Sequence, residues 1–203
     1  MIWFTSDTHL SHNKDFIFKA RGFDSIQEHD ETLMRNWNEK VSNDDEVYHL
    51  GDVAFGNPIK AKYIIEQLNG KKYLVRGNHE KTVLNREHVR NLFEWIKDYH
   101  ELKIPDETAP NKYRLICLFH YPIVSWRGKT AAKGFHLHGN GTLKKILQSV
   151  YGNDYPEDSF HLHGHSHGKY KSEENRILDV GVDNCNFYPI SIDEVFEYMK
   201  NIS

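Results

Sequence analysis

Apolar residues along this chain fall into two alternating forms. Short apolar runs end in clusters of glycine, acid and histidine, and between them lie longer stretches with apolar positions at helical spacing. Ile2 to Ser6, Glu46 to Leu50 and Lys72 to Arg76 read as buried strands. Glu28 to Val41 places Leu33, Met34, Trp37 and Val41 on one helical face, and Ile59 to Leu68 reads as an amphipathic helix closed by Asn69-Gly70. The order strand, helix, strand, helix, strand predicts a parallel sheet with right-handed crossovers. The second half is richer in strands. Trp95 to Ile104 and Tyr113 to His120 read as neighbours joined by a Pro-containing loop. Ser159 to His163 and Arg176 to Val182 follow as strands, and Gly141 to Val150 reads as a short helix. Asp193 to Lys200 reads as a final helix with Asp193 at its N-cap.

No linker or low-complexity tract interrupts the pattern, so residues 1–203 are expected to form one domain. His136-Leu137-His138-Gly139-Asn140 echoes His161-Leu162-His163-Gly164-His165, but the flanking residues do not continue the match. That argues for local convergence rather than a repeat architecture.

Composition narrows the partners. The apolar fraction is 38 %, aromatics reach 13 %, and the net charge is −3 with histidines neutral. A protein that tracks a nucleic-acid backbone usually carries a basic surface, so tight polymer binding is not expected. A small nucleotide remains compatible, because bound metals can supply local positive charge. Cys117 and Cys185 fit neither a disulfide framework nor a thiolate zinc site. No signal peptide or membrane span is visible, and a reducing cytoplasm is the expected compartment.

The clusters that close the apolar runs carry the chemistry: Asp7-Thr8-His9, Gly51-Asp52, Gly77-Asn78-His79-Glu80, His120, and Gly164-His165-Ser166-His167. Residues two apart at a strand end project to the same side, so Asp7 with His9, and His165 with His167, can each reach one ion. In open α/β sheets, sites form beyond the carboxyl ends of strands, where all these residues fall. Asp52 suits a bridging role because an ionised carboxylate offers two acceptor oxygens, while Asn78 offers a neutral oxygen. Mixed imidazole and carboxylate donors favour Mn, Fe, Co, Ni or Zn over Ca, and Mg is disfavoured as the resident ion. Two divalent ions carry four positive charges, of which Asp7 and Asp52 cancel two, leaving a site that attracts phosphate and acidifies water.

In this order the motifs resemble those of the calcineurin-like metallophosphoesterase superfamily. Leu74-Val75-Arg76-Gly77-Asn78-His79-Glu80 is similar to the phosphoprotein-phosphatase form of the motif. Ser6 to His12 and Tyr48-His49-Leu50-Gly51-Asp52 look more like the small bacterial and phage phosphoesterases. The resemblance covers nearly the whole chain. It implies a four-layer α-β-β-α sandwich of two mixed sheets flanked by helices. It also implies two divalent transition-metal ions, with Mn the leading choice: Asp7, His9 and His167 on the first, Asn78, His120 and His165 on the second, and Asp52 between them. His79 would contact the phosphate and protonate the leaving oxygen. Where phosphoprotein phosphatases carry an Asp and an Arg after the Gly-Asp motif, this chain has Phe55 and Gly56, so phosphoprotein substrates are disfavoured.

Beyond the ligand set, His163 reads as a supporting residue or a substrate contact, His12 as a loop or substrate contact, and His49 and His161 as core or supporting groups. Arg127, in the aromatic and basic stretch Trp126 to His138, is the candidate phosphate clamp. The expected function is a dinuclear-metal phosphoric ester hydrolase, in which metal-activated hydroxide attacks phosphorus. A small chain with no evident cap favours a phosphodiester or nucleotide. The alternatives are a phosphomonoesterase and a non-catalytic scaffold of the same fold.

Overall fold

The computed structural model describes residues 1–109, 112–122, 159–169 and 177–200. Two mixed sheets stack face to face. The first has the order β4-β3-β2-β1-β9, with β1 (Ile2–Thr5), β2 (Glu46–His49), β3 (Lys71–Val75) and β4 (Trp95–Lys97) parallel and β9 (Ile190–Ser191) antiparallel to β1. The second has the order β5-β6-β7-β8. There β5 (His100–Pro105) runs antiparallel to β6 (Tyr113–Leu118), while β7 (Phe160–His163) and β8 (Ile177–Asp179) run parallel to β6.

Alternation along the strands builds two cores. Trp3, Val47 and Leu74 face helices α2 (Ile26–Lys40) and α3 (Pro58–Glu66), which bury Leu33, Trp37, Ala61, Ile64 and Ile65 against them. Phe4, Tyr48 and Val75 face the second sheet and meet Leu102, Ile116, Leu118, Phe160 and Leu162. The short helices α1 (Asp15–Phe18), α4 (Lys81–Leu84) and α5 (Glu87–Arg90) and the final helix α6 (Ile192–Lys200) complete the described elements. None of the described helices is long and apolar enough to cross a membrane.

Three expectations change. Trp95 to Ile104 is not one strand: the chain leaves the first sheet after Lys97 and enters the second at His100, so one strand-like stretch serves both sheets. Helix α2 starts at Ile26 rather than Glu28, because Ser25 caps it by accepting from the Glu28 amide at 3.1 Å. The last helix is capped by Ser191, not Asp193. The Glu194 amide donates to Ser191 Oγ at 3.2 Å and the Ser191 amide donates to Glu194 Oε2 at 2.7 Å, a reciprocal capping box. The expected helix at Gly141 to Val150, the stretch Trp126 to His138 with Arg127, and the His136 near-repeat lie outside the described residues.

Candidate metal centre

The parallel strands of both sheets end at one place. An isolated parallel bridge, Ser6 with Gly181, joins the end of β1 to the segment after β8. The Gly164 amide donates to the His120 carbonyl at 3.0 Å, the His9 amide to the Asp52 carbonyl at 3.0 Å, and the Asp7 amide to the Gly51 carbonyl at 2.9 Å. Glycine is required where these loops touch. A Cβ on Gly164 would stand 2.0 Å from Ser6 Oγ and 2.3 Å from Asp7 Oδ2. One on Gly51, whose φ is +100°, would stand 2.6 Å from Gly77 Cα and from His120 Nδ1.

Asp7, His9 and His167 converge on one point, and Asp7, Asp52 and His120 on a second. His9 Nε2 lies 3.9 Å from Asp7 Oδ1 and 3.8 Å from Asp52 Oδ2, and His167 Nε2 lies 3.9 Å from Asp7 Oδ1. His120 Nε2 lies 3.8 Å from Asp52 Oδ1. Asn78 Oδ1 lies 2.9 Å from His120 Nε2 and 3.0 Å from His165 Nδ1. All seven residues expected to hold ions are therefore brought together, but not by the strand pleat. They sit on loops past the strand ends. Asp7, His9, Asp52, His165 and His167 all have left-handed backbones, with φ between 47° and 66°. For side chains other than glycine, that conformation costs on the order of 1 kcal/mol or more per residue, and such strain clusters at functional sites.

Protonation patterns test whether these side chains fit a cation. Thr8 Oγ1 donates to the Val53 carbonyl at 2.8 Å, so it accepts from His49 Nε2 at 2.8 Å. His49 Nδ1 then accepts from the Gly51 amide at 3.2 Å. His49, neutral because burial lowers its pKa to about 3, thus ties the Asp7 loop to the Asp52 loop. His120 Nδ1 donates to the Leu50 carbonyl at 2.7 Å, and burial lowers its pKa to about 4. Its Nε2 is therefore a bare lone pair facing two more acceptors, Asn78 Oδ1 and Asp52 Oδ1. Asp7 Oδ1 and His9 Nε2 are buried with no hydrogen-bond partner among the described residues. Burial pushes the Asp7 carboxyl up to about 7, against the pull of His167, and drives His9 far below its usual range. A His120 Nε2 lone pair facing two further acceptors, with no proton between them, is costly unless a cation lies there. The donor set fits divalent transition metals.

Sequence reasoning missed the supports. Asp183, on the loop after β8, accepts from His167 Nδ1 at 2.7 Å, which turns Nε2 toward Asp7 and raises the His167 pKa. Burial would raise the Asp183 carboxyl, but hydrogen bonds from His167 and Arg21 hold it well below its usual range. Arg21 grips both Asp183 oxygens at 2.8 Å and donates to the Asp7 carbonyl at 2.7 Å. Glu80, pushed up to about 8 by burial, accepts from the Val53 amide at 2.9 Å, one residue after Asp52. Asp179 accepts from the Gly181 amide at 2.9 Å and from Ser166 Oγ. Asp183 carries a readable signal, a carboxylate just past an apolar run; Arg21 carries none. Partners that orient a ligating imidazole typically matter 10–100-fold in metal affinity. Asp183→Asn is therefore expected to weaken Mn binding by about that factor in a calorimetric titration.

The histidines outside the expected ligand set sit at different depths. His163 is 1 % exposed, and its Nδ1 meets the Gly164 carbonyl at 2.7 Å. His161 is likewise buried, between the Cys117 and Tyr121 carbonyls. His79 is exposed; its amide donates to Asp52 Oδ1 at 2.8 Å and its ring lies 5.3 Å from Phe55. His12 stands at the rim, with its Nδ1 3.3 Å from His9 Nδ1.

A family model described as Calcineurin-like phosphoesterase matches residues 1–187. Gene 66 protein of Mycobacterium phage L5 is 28 % identical over 98 % of this chain and 94 % of that protein. An uncharacterized protein of Methanocaldococcus jannaschii is 27 % identical over 98 % of this chain and 91 % of its own length. Among solved structures, a protein of unknown function from Aquifex aeolicus superposes with a TM-score of 0.63 at 24 % identity, covering 97 % of this chain and 98 % of that one. That likeness concerns the fold.

Proposed function

We propose that this chain, which belongs to the calcineurin-like phosphoesterase family, hydrolyses phosphoric esters with two divalent transition-metal ions. The observation that carries the reading is the unpartnered pair of buried acceptors, Asp7 Oδ1 and His9 Nε2, set among the converging side chains of His120, Asn78, Asp52 and His167. In this reading Asp7, His9 and His167 would hold the first ion, Asn78, His120 and His165 would hold the second, and Asp52 would serve both. The whole chain acts as one domain, and Mn is the ion chosen. Cys117 and Cys185 serve as thiols in the reducing cytoplasm.

When bound, the ions supply charge stabilisation for phosphate oxygens and a water acidified to near neutral pKa. The chain's residues do the rest. Asp183 and Arg21 hold the His167 ring in position, and the Leu50 carbonyl keeps the His120 proton on Nδ1. Asp52 fixes the His79 backbone, so the exposed imidazole overhangs the phosphate and delivers a proton to the leaving oxygen.

The substrate is a phosphodiester or a nucleotide, because no cap closes over His79 and Asn78 among the described residues, both of which are exposed. Bis-nitrophenyl phosphate is therefore expected to be hydrolysed with kcat/KM at least about tenfold above that of nitrophenyl phosphate. The opposite ratio would move the assignment to a phosphomonoesterase.

A further inference from the structure

The rim of the centre beside His9 carries an aromatic surface that its own packing does not require. Phe55 stacks on His12 with ring centroids 3.8 Å apart and planes 10° apart, and on His9 at 5.0 Å. Phe16 meets the edge of His12 at 5.6 Å with its plane turned 85°. Helix α1 already buries Ile17 and Phe18 in the core, yet it turns Phe16 outward, 69 % exposed. A single exposed apolar side chain is ordinary. This one continues a row of rings that ends on a candidate metal-holding residue.

We propose that Phe16, His12 and Phe55 form a stacking shelf for the base of a nucleoside phosphate whose phosphate lies at the metal centre. The inference rests on the phosphoesterase reading above and narrows it to a substrate class. Every nucleobase has a π-face, and aromatic side chains that stack on it give affinity with little dependence on which base is bound. Spacing selects a nucleoside over a simple aryl ester. From His9 the row takes one step of 5.4 Å to His12 and a second of 5.6 Å to Phe16. A ring esterified directly to phosphate stops at the first step, where Phe55 already covers His12. A base held off by a sugar reaches the second, where Phe16 is open to solvent.

The test is calorimetric binding to the Mn-loaded full-length protein, with the non-hydrolysable P–C phosphonate analogues of adenosine 5′-phosphate, phenyl phosphate and ribose 5-phosphate. The adenosine analogue is expected to bind about tenfold or more tighter than the ribose analogue. Phe16→Ala should remove that advantage and leave ribose-analogue binding unchanged. Equal binding of the adenosine and ribose analogues, or an advantage that survives Phe16→Ala, overturns the shelf while leaving the phosphate site standing. A phenyl analogue that shares the Phe16-dependent advantage overturns the choice of a nucleoside. Failure of all three to bind overturns the shelf, while hydrolysis of bis-nitrophenyl phosphate by the same preparation decides the phosphoesterase reading separately.

Discussion

Replacing Asp52 by Asn is expected to strip metal from the centre and lower turnover by ~10³-fold, the equivalent of several kcal/mol of lost charge stabilisation. Asn keeps the size of the side chain and an oxygen that can accept from the His79 amide, as Asp52 Oδ1 does at 2.8 Å. The loop that carries it therefore has no steric reason to move. What changes is charge: the proposed bridge loses its negative charge, and His9 Nε2 and His120 Nε2, at 3.8 Å from its two oxygens, lose an anionic neighbour. Elemental analysis should find less metal per chain than in the wild type, with an unchanged far-UV circular dichroism spectrum. Wild-type activity with full metal content would remove Asp52 from the mechanism.

His79→Ala is expected to act through the leaving group. Positioned general acids contribute about 10²–10⁴-fold, and only where the departing oxygen needs a proton. Alkyl or nucleoside esters should therefore lose about a hundredfold or more, while nitrophenyl esters, whose leaving group departs as a stable anion, should lose less than about tenfold. The His79 ring packs near Phe55, and no carboxylate among the described residues orients it. That agrees with Phe55 standing where phosphoprotein phosphatases place an acid. Equal losses across both ester classes would assign His79 to binding alone.

The three leading parallel strands of the first sheet and the polar residues at their carboxyl ends were legible because each strand-like run stops abruptly at a polar cluster. Helices α2 and α3 were legible through the spacing of Leu33, Trp37, Ile64 and Ile65. The break between β4 and β5 was not, since strand-like residues lie on both sides of Asp98 and no glycine or proline marks the turn. The clustering of Asp7 with His9 was foreseen for a reason that the backbone replaces. Left-handed φ angles of 56° and 49° aim the two side chains, where the sequence alone points to period-two alternation along a strand. The Arg21–Asp183 clamp spans 162 residues of sequence and has no local pattern. Only the folded chain, with β1 and β8 meeting at Ser6 and Gly181, brings that clamp behind Asp7 and His167.

The proposed activity requires that the converging acceptors of this centre hold two ions and use them on a phosphate ester. Its most direct test is a metal count on the purified protein after Mn reconstitution, taken alongside hydrolysis of bis-nitrophenyl phosphate. About two ions per chain are expected, with turnover rising in step with occupancy. A protein that takes up no Mn and stays inert would contradict it, and would make the chain a scaffold that keeps the fold without the chemistry.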